Sequence, residues 1–349
     1  MITLERTEQI LKNAKSKPVL ACGDVMLDVY LTGPVERLSQ EAPVPIIAVE
    51  EEKFFPGGAG NAAACMAAIG ITPHLVSVVG KENEKINYVK ILEKEYERNG
   101  IISHFGSDET RTTIVKIRLV AIKSTKQQIA RVDLEKTHPL NPAKEKEIME
   151  YIKRLSEEIK PLALSIHDYK KGFLTENIFQ LICSISTEKN IPIFADLKQD
   201  TFSNYKKLIK NPSLFYLKPN KDESVEAAKL INNFNKDGNT DEEIIEVSKI
   251  IQKKIPIQII ITRGRKGAVL FEIGKDPYFV RPKEIEEQFD VAGAGDTVAA
   301  FLIAAYLGGA TMPEALEIAI AASQVAIRKF GTSVVTEKEL FDWIEKNKV

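Results

Sequence analysis

With 349 residues, 44% of them hydrophobic and 28% charged, the chain has the make-up of a globular protein large enough for one big α/β domain or two smaller ones. The 48 Lys and Arg against 49 Asp and Glu leave a net charge of -1, so nothing electrostatic calls for nucleic acid or an anionic membrane, and a small molecule is the default partner. Cys22, Cys65 and Cys183 stand apart in apolar surroundings without CxxC spacing, which speaks against disulfides and thiolate metal sites and fits a reducing, cytoplasmic setting.

The first ten residues are amphipathic and acidic, not basic and then apolar, so they do not read as a secretory signal. No apolar run reaches the roughly 18 to 20 residues that span a bilayer. From Pro18 the pattern alternates buried strands with helices, beginning with a short apolar run at 19–22. Gly23-Asp24-Val-Met-Leu-Asp28 follows directly, which puts two carboxylates at the carboxyl edge of the first strand. Asp28 is well placed to accept hydrogen bonds from sugar hydroxyls, whereas Asp24 could equally serve its own turn.

Residues 30–50 break the rhythm and alternate as half-exposed strands do. Next comes Pro56-Gly57-Gly58-Ala-Gly60-Asn61, leading into a small-residue helix at 61–69. Glycines there let a ligand approach the main chain, and Asn61 offers both donor and acceptor. An apolar run at 74–79 continues the sheet. Residues 112–133 alternate again, with Lys116 and Arg118 on one face of the strand and Ile117 and Leu119 on the other. The two alternating stretches are predicted to form a small antiparallel lid over the carboxyl ends of a parallel sheet.

The rhythm resumes with a strand at 163–166, a helix at 176–189, strands at 192–195 and 214–217, a helix at 241–254 and a strand at 257–261. Residues 232–241 read as a polar surface loop. Then comes Asp290-Val-Ala-Gly293-Ala294-Gly295-Asp296-Thr297, running straight into an apolar helix from Val298. Gly293 and Gly295 allow a tight turn that aims free amides at one point, and the helix dipole favours an anion there. A carboxylate held beside bound phosphate makes sense as a base that takes a proton from an attacking hydroxyl, although Asp296 could instead only cap the helix. Helices at 313–330 and 337–346, broken at Gly331-Thr-Ser333, close the chain.

An early di-glycine segment and a late D-x-x-G-A-G-D motif together resemble the ribokinase-like, pfkB-type family of carbohydrate kinases. Within it, Gly23 to Asp28, Glu41-Ala-Pro-Val-Pro45, Pro56 to Asn61, Gln127-Gln128 with Arg131-Val-Asp133, Asp168-Tyr-Lys-Lys-Gly172 and Lys329-Phe-Gly-Thr-Ser333 are similar to the branch acting on heptose 7-phosphate. The resemblance implies a three-layer α/β/α kinase domain over residues 1–349, with lid segments at about 30–50 and 112–133. It implies transfer of the ATP γ-phosphate to O1 of the heptose, towards ADP-heptose and lipopolysaccharide core. It also implies Asp296 as base and the amides of Gly293, Ala294 and Gly295 as anion hole, with Asp28, Gly57, Gly58 and Asn61 on the sugar.

Asn220-Lys-Asp-Glu223 matches the family's N-x-x-E, which organises Mg²⁺ through water, and Thr262-Arg-Gly264 with Gly267 matches the nucleotide turn. Asp290, Gly331 and Ser333 match a monovalent-cation loop. A phosphorylated sugar also needs fixed cations, for which Lys171, Lys198 and Arg131 are candidates, with Asp168 and Asp196 orienting them or touching hydroxyls. Ala292, Val29, Gln40 and Leu197 depart from residues usual in relatives.

A homodimer joined through the apolar lid residues Ile46, Ile47 and Val49 is expected. So is a separate adenylyltransferase, because many relatives fuse one to the kinase and no His-x-Gly-His signature occurs here. A ribokinase-like kinase for another sugar, sugar phosphate or nucleoside, and a relative that binds without turnover, are the alternatives.

Overall fold

A computed structural model describes residues 2–81, 87–122, 126–282 and 292–347. Seven strands run parallel in the order β7 (Ile102–Thr112), β6 (Thr72–Lys81), β1 (Pro18–Gly23), β10 (Ala163–His167), β11 (Ile193–Asp196), β12 (Phe215–Leu217) and β13 (Gln258–Thr262). Antiparallel β14 (Ala268–Phe271) and β15 (Tyr278–Val280) extend the β13 edge. The strands alternate their side chains between two cores. Along β1, Val19 and Ala21 join one core while Leu20 and Cys22 join the other.

The first core is closed by α1 (Leu4–Ala14), α2 (Ala59–Ala68), α3 (Tyr88–Arg98), α9 (Ala294–Leu307), α10 (Met312–Ala326) and α11 (Glu337–Lys346). The second is closed by α4 (Pro142–Ile159), α5 (Glu176–Lys189), α6 (Gln199–Tyr205), α7 (Lys221–Asn232) and α8 (Asp241–Lys254). The predicted three-layer fold is therefore present. Among the described residues no helix is long and apolar enough to cross a membrane, and Cys22, Cys65 and Cys183 are free and buried.

The chain winds outward from β1 through β6 to β7, then returns to build β10 to β13 on the other side of β1. Strand order thus reverses beside β1, and open α/β sheets bind ligands outside the carboxyl ends of their strands at such a point.

Over that edge lies a second sheet, in the order β5 (Glu51–Gly58), β2 (Val25–Gly33), β8 (Val115–Ile122) and β9 (Lys126–Leu134). Its outer pairings are antiparallel, as expected, but the central β2·β8 pairing is parallel. A parallel partner is possible because the chain passes through the main sheet between the two strands, which gives the long crossover that such pairs need. The small sheet also begins earlier and ends later than residues 30–50, since β2 starts at Val25 and β5 runs to Gly58. A two-stranded ribbon, β3 (Val35–Leu38) and β4 (Pro45–Ile47), projects from it. Leu38, Val44, Ile46, Ile129 and Val132 are exposed on this ribbon, its turn and β9, and Val49 is exposed in the link from β4 to β5.

Candidate active site

The turn before α9 shows that Asp296 is not the cap of the helix. The N-cap is Gly293, at φ 77°, so no side chain caps the helix. Asp296 lies in the first turn with its carboxylate turned away from the helix amides. Asn61 Nδ2 donates to Oδ2 at 2.7 Å and the Tyr169 hydroxyl donates to Oδ1 at 2.6 Å. A Cβ at position 293 would stand 2.6 Å from Asn61 Nδ2, so glycine is required there both by backbone angle and by space. Asn61 comes from the first turn of α2, directly after Gly57 and Gly58. Two helix N-termini therefore meet at one carboxylate, and the amides of Ala294 and Gly295 have no partner within their helix.

Burial pushes Asp296 up to about 6, against the opposing hydrogen bonds from Tyr169 and Asn61, and the Asp196 carboxylate adds to the rise. Tyr169 is held well above its ordinary value, first by burial and then by the Asp296 charge, so its hydroxyl keeps its proton. The arrangement can accept a proton at a buried oxygen beside an anion-binding turn.

A row of side chains lines the adjoining strand ends. His167 ends β10, Asp196 ends β11, and Lys218 follows β12. Lys218 Nζ is 2.8 Å from Asp196 Oδ2. Burial lowers His167 to about 4, so the ring is neutral, and it shares a hydrogen bond with Ser165 Oγ at 2.7 Å. His167, Asp196 and Asp296 bring ligand-type atoms within 4.8 Å of one another.

The second cluster surrounds Asp28, which lies within β2 and not in the turn before it. Arg118 Nη1 donates to its Oδ1 at 2.6 Å, and a Cβ on Gly57 would stand 2.8 Å from its Oδ2. Burial raises Asp28, with Arg118 the main opposing influence. Pairing sets Asp28 beside Lys116 and Tyr30 beside Arg118, while Arg131 sits opposite Arg118 and pairs with Asp133 at 2.8 Å. Lys116 is lowered by burial and then by the charges of Lys171 and Arg131, which shows how closely these cations gather. Lys171 itself is 2.7 Å from Glu135.

The third cluster joins the ends of β11 and β13 to α7. Asn220 and Glu223 form the capping box of α7, and Lys198 Nζ reaches Glu223 Oε1 at 2.5 Å. Burial would lower Lys198, but the Glu223 bond and charge override it and leave the ammonium raised. Asn220 bridges to Thr262, and Gly264 and Gly267 take positive φ in the turn that follows. Gly267 could not carry a side chain, because a Cβ would lie 2.0 Å from the Val280 carbonyl oxygen.

Two carboxylates at this edge hold the local structure. Asp168 accepts from the Lys170 amide and from Thr201 Oγ1, closing a local turn. Asp24 accepts the amides of Tyr169, Lys171 and Phe173 at 2.9, 3.0 and 3.0 Å. Asp24→Ala strands three amide donors, one buried and two part-buried, and is expected to cost about 3 kcal/mol in urea unfolding, with the KM of the folded protein unchanged. A stable variant with a raised KM would return Asp24 to the ligand.

Asp290 lies outside the described residues. Gly331 and Ser333 sit in the loop after α10, with Gly331 at φ 74° and Ser333 Oγ donating to the Phe330 carbonyl at 2.8 Å. Sequence reasoning missed Tyr169, His167, Lys218 and Arg118 as site residues. The available signal was position, since the first three stand at or just past strand ends on one edge.

A doubly covered, mostly parallel sheet with a small sheet over its carboxyl edge is the ribokinase-like fold. The pfkB family carbohydrate kinase model matches residues 16–339, and the chain belongs to that family. It is 34% identical over 324 residues to the bifunctional protein HldE of Gluconobacter oxydans, covering 92% of this chain and 63% of that protein. It is also 34% identical over 337 residues to the bifunctional protein HldE of Hyphomonas neptunium, covering 96% and 65%. The chain thus spans just under two thirds of these relatives.

Among solved structures, Escherichia coli phosphofructokinase-2 in complex with potassium superposes with a TM-score of 0.75 at 15% identity, covering 95% of this chain and 99% of that one. Arabidopsis thaliana ribokinase complexed with ribose and ATP gives 0.66 at 17% identity, covering 95% and 99%.

Proposed function

We propose that the protein transfers the γ-phosphate of ATP to O1 of D-glycero-D-manno-heptose 7-phosphate, giving the 1,7-bisphosphate. The observation that carries the chemistry is Asp296, buried between Asn61 and Tyr169 at the N-terminus of α9. In this reading the sugar hydroxyl gives its proton to Asp296 while its oxygen bonds to the γ-phosphorus. The bond from that phosphorus to the bridging oxygen breaks, and ADP leaves with the electron pair. The amides of Ala294 and Gly295 stabilise the charge on the moving phosphoryl group.

The choice of a phosphorylated sugar is supported by the cations around Asp28, namely Lys116, Arg118, Arg131 and Lys171, which a free sugar would not need, and by the relatives named HldE. Asp28, Gly57, Gly58 and Asn61 take the sugar, and Thr262, Gly264 and Gly267 line the nucleotide side. Lys198 neutralises Glu223 in this arrangement and does not meet the sugar phosphate.

Asn220 and Glu223 offer oxygen donors, which suits a hard dication. Both Glu223 oxygens are already engaged, by Lys198 and by the Asn220 amide, so the pair fits holding Mg²⁺ through its waters. When bound with ATP, Mg²⁺ would neutralise phosphate charge. A monovalent cation near Gly331 and Ser333, cytoplasmic residence, dimerisation through the exposed apolar residues of the lid, and an adenylyltransferase acting further along the route belong to the same reading.

The test is a panel of free and phosphorylated sugars with ATP. Turnover confined to a free pentose or hexose would overturn the heptose assignment. Equal ATP consumption with and without any sugar would favour a relative that binds without transfer. The kcat/KM of the parent is expected to fall as pH drops through about 6, because Asp296 must be ionised. Tyr169→Phe removes a hydrogen bond that favours the carboxylate, so its acid limb should move to higher pH. An unmoved limb would mean that another group sets it.

A further inference from the structure

Asp108 and Arg111 stand at the end of β7, outside the clusters described so far, with side chains 1% and 3% exposed. Arg111 Nε donates to Asp108 Oδ2 at 3.1 Å, and Asp108 Oδ1 accepts from the Thr110 amide at 2.9 Å and from its hydroxyl at 2.6 Å. The rest of the guanidinium fork reaches beyond β7. Nη1 donates to the Lys171 carbonyl at 3.2 Å and Nη2 to the His138 carbonyl at 2.8 Å.

Stability by itself does not call for charges here, because a buried ion pair can often be exchanged for apolar side chains of like volume with little loss. What apolar side chains cannot supply is a planar set of donors that grips two carbonyls at fixed spacing. Those carbonyls belong to the two segments that build one ion pair of the sugar cluster. Lys171 lies in the turn after β10, and its Nζ is 2.7 Å from Glu135, which shortly precedes His138 in the chain. The segments also press together, since a Cβ on Gly172 would stand 2.0 Å from the His138 carbonyl oxygen. Asp24 holds the turn through the amides of Tyr169, Lys171 and Phe173, so its grip is on that turn. Arg111 ties the turn to the segment of Glu135.

We infer that Arg111 is a positioning residue for the substrate's phosphate: held by Asp108, it fixes the Lys171–Glu135 pair by gripping the backbone of both partners' segments. This rests on the proposed reading in which Lys171 is one of the cations that meet a phosphorylated sugar. A lysine ammonium rides on a flexible four-carbon stem, so its place is set by a fixed backbone beneath it and a fixed carboxylate beside it. With both held, the charge stands ready before the phosphate arrives and less ordering remains to be done on binding.

The competing account is that Arg111 only ties β7 to its surroundings. Arg111→Met alone strands the Asp108 carboxylate and should unfold more easily, so the test uses Asp108→Asn/Arg111→Met, which leaves neither charge of the pair behind. First, the protein without substrate is acylated with acetic anhydride, and modification of Lys171 is followed by mass spectrometry against Lys229 on α7. Lys171, with its side chain 16% exposed, should react several-fold faster in the double variant than in the parent. An unchanged rate would overturn the proposal. Second, the KM for heptose 7-phosphate should rise about tenfold while kcat and the KM for ATP stay near the parent. A fall in kcat with both KM values moving together would assign Arg111 to the fold alone and overturn the proposal. Third, the same two substitutions placed on Lys171→Met should raise the sugar KM no further, because Arg111 acts through Lys171. Additive effects would overturn it.

Acylation needs no sugar, so the grip on Lys171 is judged even if heptose 7-phosphate is not turned over. Faster acylation together with an unchanged sugar KM would remove Lys171 from the phosphate, which sinks that part of the substrate reading and leaves the grip of Arg111 standing.

Discussion

Asp296→Asn is expected to lose phosphoryl transfer by on the order of 10²- to 10⁴-fold and, at pH 8, to unfold at higher denaturant concentration than the parent. Both effects come from the same burial. A carboxylate with a folded value of about 6 against an ordinary 3.8 binds more protons folded than unfolded between those values. Stability contributed by this group therefore falls as pH rises through that window, and above it the ionised carboxylate costs the fold about 1–3 kcal/mol. Asparagine has the same shape and no charge. Its carbonyl can accept from Asn61, and its amide faces the Tyr169 hydroxyl, which accepts as well as donates. The gain should shrink as pH falls from 8 towards 4, where the parent carboxylate is itself protonated. Urea unfolding across that range checks the sign. A variant no more stable than the parent at pH 8 would show that burial does not penalise the Asp296 carboxylate, and one that keeps its turnover would show that Asp296 is not the base.

Much of this could be read from local chemistry, and what could not depends on distant segments. Helices α5, α8 and α11 begin where Thr175, Thr240 and Thr336 cap them, and such caps are visible in a sequence. Helix α10 stops at Ala326, four residues short of the predicted end, because the chain tightens into turns through Lys329 before any glycine appears. Helix α4 has a narrow apolar stripe, Ile148, Ile152 and Leu155, among lysines and glutamates, so its period is faint. Strand β2 is buried along nearly all its length and shows no alternation, which hid it behind the turn at Gly23.

The site divides in the same way. Asp296, Asn61 and the glycines announce themselves because turns at helix starts demand particular residues. Alternation identified Lys116 and Arg118 as one face of a strand, but only the parallel β2·β8 register shows that this face looks at Asp28. Tyr169 and Lys218 reach Asp296 and Gly295 from 127 residues and one strand end away, and no local pattern encodes such a meeting.

Arg118→Met is the second large effect, because it removes one partner of a buried pair and leaves the other. Arg118 and Asp28 have side chains 12% and 4% exposed and meet at 2.6 Å. Breaking such a pair on one side costs several kcal/mol, since the remaining charge keeps its desolvation penalty; with Lys116 nearby to share the carboxylate, about 2–4 kcal/mol is expected. Asp28 is already raised by burial despite Arg118, so without it the group must rise further. The loss should therefore be greatest above the new value and ease as pH falls and Asp28 takes a proton.

The cation also stands over the Tyr30 ring at 5.0 Å, a contact that methionine keeps only as packing. The KM for a phosphorylated sugar should rise tenfold or more while that for ATP stays close to the parent, because the nucleotide turn at Thr262 belongs to a different cluster. Arg118→Lys restores the charge without the planar fork and should recover stability better than it recovers sugar binding. Asp28→Asn/Arg118→Met removes both charges and should regain stability while the sugar KM stays high. If the single variant loses less than about 0.5 kcal/mol and binds sugar phosphate normally, Arg118 and Asp28 form a dispensable pair and the cations of the small sheet do not hold the substrate.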